Sequence, residues 1–188
     1  PGALPAVRAD LRRQRHLRSR LTAPCWQRCP PAEKTNPMRP QRGESTAMLR
    51  IMKDENLLAP VRQAISEGLP VFGTCAGMIL LACSVEGEER ERIATMDIVV
   101  RRNAYGRQLG SFFTVAPVAG IGDDVPMTFI RAPYITSTGE GADVLATVDG
   151  NIVAARQGKQ LVCSFHPELN EDTRIHEYFI EMVKAARC

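Results

Sequence analysis

Two short stretches carry residues able to do chemistry. Gly73-Thr74-Cys75-Ala76-Gly77 sets a cysteine between glycines, and Ser164-Phe165-His166-Pro167-Glu168 sets a histidine two residues before a carboxylate. A thiol attacks as its thiolate, and histidine is the side chain best suited to take that proton and return it near neutral pH. A carboxylate bonded to one imidazole nitrogen turns the other toward the nucleophile. Cys75, His166 and Glu168 are therefore a candidate set for acyl transfer. Taken singly, each has a plainer reading: a small buried cysteine on a tight turn, a capped turn histidine, a solvated acid. Their combination points to catalysis.

That chemistry demands a particular backbone. A strand turning sharply into a helix exposes one side chain, and glycines two residues to either side let the backbones pass closely. This is the pattern of the G-x-S-x-G nucleophile elbow, with cysteine in the serine's place. Pro70-Val71-Phe72 supplies a short buried strand and residues 78–82 an apolar helix. The start of that helix offers unpaired N–H groups and a positive dipole end, which favour thiolate over thiol. The Ala76 N–H points at a developing oxyanion. His166 follows a predicted strand over 161–165, so it emerges at a strand's C-terminal edge, where open α/β sheets build their sites.

The remaining pattern supplies the scaffold. Helices are predicted over 46–52, over 59–67 with Pro60 in the first turn and Gly68 as the stop, and over 173–186 with Ile175, Phe179, Met182 and Val183 on one face. Strands are predicted over 97–101, 112–115, 127–130, 144–148 and 152–155, with Asp149-Gly150 as a hairpin turn between the last two. Residues 86–92 read as a solvated charged loop. Helices and strands alternate early and strands cluster late, which gives an α/β sheet with an added antiparallel portion. Gly43-Glu44-Ser45-Thr46 precedes a helix and offers either a backbone cradle for a polar ligand or an ordinary cap. Arg102 and Arg131 stand at strand ends, either as bidentate partners for an α-carboxylate or as plain surface arginines. His176 is expected on a polar, exposed helix face, and His16 lies among arginines. Cys83 and Cys163 are expected to be inert core residues, and Cys188 is terminal.

Composition excludes several classes. The 188 residues suit one domain with a full-sized core, and 44% hydrophobic with 24% charged residues is the balance of a soluble globular chain. No apolar run approaches the ~20 residues that span a bilayer, so no membrane role is expected. Six cysteines without paired metal spacing argue for a reducing cytoplasm and against a metal centre; Cys25 and Cys29 form a lone CxxxC. The net charge of +3 is uneven. Residues 1–42 hold nine Arg and one Lys against Asp10 and Glu33, a surplus of +8 that leaves the rest at −5. A nucleic-acid footprint is therefore not expected of the whole chain. Residues 1–42 also carry seven of the thirteen prolines and no Ile, Phe or Tyr, so they cannot bury much surface.

In this order along the chain, Gly43-Glu44-Ser45-Thr46 and the stretches VFGTCAGMILLA, VRRNAYGRQ, FIRAP, VAARQGK and CSFHPEL resemble the glutaminase subunit of pyridoxal 5'-phosphate synthase. That family is a triad-type (class I) glutamine amidotransferase, and the resemblance covers residues 43–188. GTCAG with HPE marks the broader class; RRNAYGRQ and FIRAP narrow it to the vitamin B6 branch. The resemblance implies a flavodoxin-like three-layer sandwich with a central, mostly parallel sheet. It implies that Cys75, His166 and Glu168 are the triad, that Gly43 and Ala76 serve the oxyanion, and that Gly43, Glu44, Ser45, Arg102, Ile130 and Arg131 contact L-glutamine. Such a protein hydrolyses glutamine to glutamate and passes the ammonia to a separate (β/α)8-barrel synthase subunit. It needs no metal or organic cofactor of its own.

The family opens with a buried strand resembling IGVLALQG and reaches Glu-Ser-Thr through two glycines. Here residues 1–42 lack those features, and Arg42-Gly43 stands where the glycine pair belongs. The pair contributes to the oxyanion hole by a peptide reorientation, which an arginine resists. The expectation is a wrong-frame translation of a GC-rich gene start, with the first strand missing or replaced. A catalytically impaired homologue and another cysteine hydrolase of the same architecture are the alternatives.

Overall fold

The computed structural model describes residues 43–102 and 110–186. The 1–42 segment with Cys25, Cys29, His16 and Arg42, the Asn103-Ala104-Tyr105-Gly106-Arg107-Gln108 part of the B6-branch motif, and Cys188 lie outside the described residues.

Helix α1 (Glu44–Asp54) starts at Gly43, whose carbonyl accepts from the N–H groups of Thr46 and Ala47. Glu44 in its first turn and Lys53 in its last complement the helix dipole. Helix α2 (Leu58–Ser66) buries Leu58 and Ile65 and stops as the sequence predicts. Gly68, at φ 102°, donates to Ile65, and Leu69 donates to Ala64, the paired bonds of a Schellman cap. Strand β1 (Val71–Thr74) then runs into α3 (Ala76–Leu81), which is followed by β2 (Ala82–Val85) and β3 (Met96–Arg101). The chain continues through β4 (Ser111–Val118), β5 (Gly122–Ile130), β6 (Tyr134–Thr138), β7 (Asp143–Val148), β8 (Asn151–Gln157) and β9 (Gln160–Cys163). A 3-10 turn (Pro167–Leu169) and α4 (Arg174–Ala185) close the described chain. Of these strands, β2 and β6 are absent from the sequence reading. β2 is four residues long and continues straight from α3, so no break announces it.

The main sheet runs β1-β9-β8-β6-β3-β2, with β7 also paired to β8; β4 and β5 form a separate antiparallel ribbon. The layered α/β architecture is as expected, but the strand directions differ from a mostly parallel sheet. Among the described strands β1/β9 and β2/β3 are parallel, while β3/β6, β6/β8, β7/β8 and β8/β9 are antiparallel. Turn length accounts for two of these pairs, β7/β8 and β8/β9. Asp149-Gly150, at φ 50° and 77°, joins β7 to β8, and a turn with Gly158 at φ 58° joins β8 to β9. Two-residue turns link only antiparallel neighbours, whereas a parallel pair needs a crossover.

The sheet separates two cores. Along β9, Val162 faces a cluster with Leu49, Ile65, Met78 and Leu81 from α1, α2 and α3. Leu161 and Cys163 face the other side, with Met127 and Phe129 from the ribbon, Phe165 just past β9, and Ile175 and Met182 from α4. This period-2 alternation is what a sheet covered on both faces requires. Phe112 stacks on Phe129 at 4.4 Å, and Phe165 meets Phe129 edge-on at 5.8 Å. Burying each such ring contributes about 2–3 kcal/mol; the first pair stiffens the ribbon itself, and the second joins it to the segment after β9. Arg174 donates to both Asp172 and Asp124 and ties the start of α4 to β5. Among the described residues no helix is long and apolar enough to cross a membrane.

Candidate active site

The site is built where two parallel neighbours end together. Thr74 of β1 pairs with Cys163 of β9, and the Cys75 N–H donates to the Cys163 carbonyl at 2.8 Å. Beyond that bond the chains part, one entering α3 at Cys75 and the other running through Ser164 and Phe165 to His166. Both reactive side chains thus leave the C-terminal ends of adjacent strands, the place expected from the sequence.

Cys75 adopts φ 43° and ψ −95°, a backbone state that costs a non-glycine residue about 1–3 kcal/mol. The Cys163 carbonyl on one side and the first turn of α3 on the other hold it there. Gly73 makes the elbow possible. A Cβ at that position would lie 2.8 Å from both the Gly77 carbonyl carbon and Leu81 Cδ1. Gly77 differs from expectation, because a Cβ there meets nothing within 4 Å. Only the first glycine of the pair is required for close passage.

The thiol's environment also corrects the sequence reading. The helix start was expected to favour thiolate, and the Ala76 N–H does pull the Cys75 pKa down. Burial outweighs it, and the charges of Glu44 and Glu168 add to burial, so the thiol is pushed up to about 11. The resting group is therefore the neutral thiol, and attack requires a base to take its proton. Cys163 is wholly buried, its pKa raised well above the usual thiol range first by burial and then by the Glu168 and Cys75 charges. It is the inert core residue expected. Cys83 is half-buried instead of lying in the core.

His166 is fixed from three sides. Its N–H donates to the Thr128 carbonyl of β5 at 2.8 Å, and its own carbonyl accepts from the Leu169 N–H and from Asn170 Nδ2. Its ring Nδ1 stands 2.7 Å from Glu168 Oε1. Nδ1 is thereby occupied, and Nε2 is left to exchange a proton with a nucleophile. Burial raises the Glu168 pKa, but the His166 hydrogen bond, a backbone N–H and the charges of His166 and His176 together hold it below the usual carboxylate range. His176 is not the exposed histidine expected: it is half-buried, with its ring edge-on to Phe72 at 6.1 Å.

The remaining candidates fall into two groups. Arg102 follows β3 and reaches Gly43: a Cβ on Gly43 would lie 2.8 Å from Arg102 Nη2. Ser45 is buried and Glu44 exposed on the first turn of α1, close enough for the Glu44 charge to act on Cys75. Ile130 and Arg131 form the second group, at the end of β5 just past the Thr128 carbonyl that holds His166. Both are exposed, and Arg131, at φ 45°, donates its N–H to the Gly110 carbonyl.

Two contributors escaped the sequence reading. Thr128 acts through its carbonyl, which no side-chain pattern reveals. Glu88 lies in the 86–92 segment expected to be solvated, yet its carboxylate is only 17% exposed and Arg92 is 6% exposed. The segment is pinned from α2, where Arg62 donates to the carbonyls of Arg92 and Ile93. Its charge alternation was the only available signal, and that pattern fits a solvated loop equally well. Among the described residues no group of three or more His, Cys, Asp or Glu side chains is placed to hold a metal ion.

Comparison with known proteins gives the same outline. Residues 38–185 match the family model described as the SNO glutamine amidotransferase family. The chain is 57% identical over 145 residues to the pyridoxal 5'-phosphate synthase subunit PdxT of Streptococcus pneumoniae strain CGSP14, covering 77% of this chain and 74% of that protein. It is 58% identical over 142 residues to the PdxT of strain ATCC 700669 / Spain 23F-1, covering 76% and 73%. A crystal structure of a glutamine amidotransferase aligns with TM-score 0.71 and 44% identity, over 74% of this chain and 75% of that one.

Proposed function

This chain belongs to the SNO glutamine amidotransferase family, and we propose that it hydrolyses L-glutamine to L-glutamate and ammonia, supplying the ammonia to a synthase subunit that makes pyridoxal 5'-phosphate. The observation that carries this reading is the 57% identity, spread over 145 residues, to a protein named as a subunit of that synthase.

In this reading Cys75 is the nucleophile. Its Sγ attacks the side-chain carboxamide carbon of glutamine while its proton passes to His166 Nε2. Concerted transfer suits a thiol whose pKa is pushed up to about 11. The tetrahedral oxyanion accepts from the N–H groups of Ala76 and Gly43. Its collapse breaks the C–N bond, and His166 gives its proton to the nitrogen, which leaves as ammonia. Water, deprotonated by His166, then adds to the γ-glutamyl thioester. The C–S bond breaks, the thiol regains a proton and glutamate departs. Glu168 holds the imidazole through Nδ1 and balances its positive charge in both half-reactions. Arg102 pairs with the α-carboxylate of glutamine, and Glu44, Ser45, Ile130 and Arg131 complete the substrate contacts.

Residues 43–188 form the glutaminase domain, and residues 1–42 are the atypical segment. The partner is a (β/α)8-barrel subunit, and the complex works in the cytoplasm. The high Cys75 pKa supports slow turnover by the free chain, and the family resemblance implies faster turnover on docking. The test is glutamate release with and without the synthase subunit. Native chain should release glutamate, more rapidly in the complex, and Cys75→Ser should lower the rate at least a thousandfold. Release undiminished by that substitution would remove Cys75 from the mechanism, and hydrolysis of esters or peptides but not glutamine would replace the substrate.

A further inference from the structure

Glu88 lies on the loop between β2 and β3 and is no member of the triad, yet four observations connect it to the substrate side of the site. Its Oε2 accepts from Arg102 Nη1 at 2.7 Å, and both side chains are largely enclosed, 17% and 13% exposed. The other terminal nitrogen of the same guanidinium, Nη2, is the atom turned against Gly43. Glu88 Oε1 faces two further arginines, Arg90 at 3.6 Å and Arg92 at 4.0 Å. Arg90 in turn donates to Thr46 Oγ1 in the first turn of α1. One carboxylate therefore ties together the loop, the end of β3 and the start of α1.

We propose that Glu88 is a positioning residue that sets the Arg102 guanidinium for the α-carboxylate of the substrate. The proposal rests on the reading of Arg102 as the α-carboxylate partner. A guanidinium binds a carboxylate well only when its plane and its paired N–H groups face the incoming oxygens. Arg102 has a long stem with many rotamers, and a charge-assisted bond at one nitrogen removes most of that freedom before substrate arrives. Glu88 also places one negative charge among three arginines. Without it, Arg90 and Arg92 would repel Arg102 from the pocket. Two opposed effects follow from removing the charge: a more positive pocket attracts carboxylate, and a disordered guanidinium grips it less well. The first changes only the overall attraction, while the second acts at contact distance, where the alignment of the guanidinium decides the grip, and outweighs it.

The experiment compares L-glutamine with L-glutamine α-amide, which lacks the carboxylate, on native, Glu88→Gln and Glu88→Asp chains in complex with the synthase subunit. Glu88→Gln keeps the shape and should raise KM for L-glutamine about tenfold with kcat within twofold. Turnover of the α-amide should be unchanged. Glu88→Asp keeps the charge and should recover part of the loss. A fall of equal size on both substrates, or a lower KM for L-glutamine in Glu88→Gln, overturns the proposal. Thermal shift of each chain with L-glutamine gives a readout independent of turnover. Loss of the shift in Glu88→Gln from a native chain that binds but releases no glutamate would sink the glutaminase reading and keep this one. An equal shift in both chains overturns it. A native complex that handles L-glutamine and its α-amide alike removes the role given to Arg102, and this proposal with it.

Discussion

His166 Nδ1 and Glu168 Oε1 stand 2.7 Å apart across a single proline, in a turn whose first carbonyl is bonded twice and whose first N–H is held by β5. The ring is thus oriented by Glu168 of its own turn, while the Thr128 carbonyl of β5 holds the backbone that carries it. Glu168→Gln keeps an acceptor for Nδ1 but removes the charge that balances a protonated ring. Glutaminase kcat should fall roughly a hundredfold with KM little changed, less than when a deeply buried partner is lost, because Glu168 is half exposed. Stability offers a second check. The Glu168 pKa lies below its ordinary value of 4.5, so its contribution is present above that pH and is lost as pH falls through the lower folded value. The gap in urea midpoint between native chain and Glu168→Gln should therefore close as the pH drops below 4.5.

Cys75 should be a sluggish nucleophile in the free chain. With its thiol pKa pushed up to about 11, the thiolate fraction rises about tenfold per pH unit throughout the neutral range. Alkylation by iodoacetamide, followed by mass spectrometry of the Cys75 peptide, should accelerate accordingly from pH 7 to 10 and level off only near 11. Glu44 is the second contributor to the raised value, after burial. Glu44→Gln should speed alkylation several-fold at pH 8. A rate already flat at pH 8 would mean a preformed thiolate and a different activation.

What the sequence disclosed here depended on whether the cause was local. The elbow was legible because Gly-x-Cys-x-Gly after an apolar triplet fixes a strand, a bend and a helix within ten residues. The Asp149-Gly150 turn and the Gly68 stop were legible for the same reason. Strand direction was not, because it depends on which distant segments meet, and the resemblance suggested more parallel pairing than the described strands show. The Cys75 pKa was misjudged because a helix start is visible in sequence, whereas burial and the approach of Glu44 and Glu168 are not. Glu88 was hidden for a related reason: a run of alternating charges looks the same whether it is solvated or folded onto an arginine.

The two glycines of the elbow should behave differently. Gly73→Ala drives a methyl group into the Gly77 backbone and Leu81 at 2.8 Å, and backbone cannot yield as a side-chain tip can. Unfolding free energy should fall by roughly 2–3 kcal/mol, read from urea denaturation. Gly77→Ala meets open space and replaces a poor helix former, so stability should stay level or rise by up to about 1 kcal/mol. Equal loss from both substitutions would contradict the geometry of the bend.

Gly43 separates a steric requirement from a conformational one. Its φ is −128°, which any residue adopts, so alanine there costs no backbone strain. The added methyl would instead sit 2.8 Å from Arg102 Nη2, the free end of a flexible side chain. Arg102 can move aside at little cost in stability, so Gly43→Ala should shift the unfolding free energy by less than about 1 kcal/mol. The displaced guanidinium no longer meets the α-carboxylate correctly, and kcat/KM for L-glutamine should drop about tenfold, chiefly through KM. Measuring both quantities on one preparation decides the matter. A stable variant with native kinetics would show that Arg102 need not touch Gly43 to bind substrate, while a large loss of stability would mean that the contact supports the fold and not the ligand.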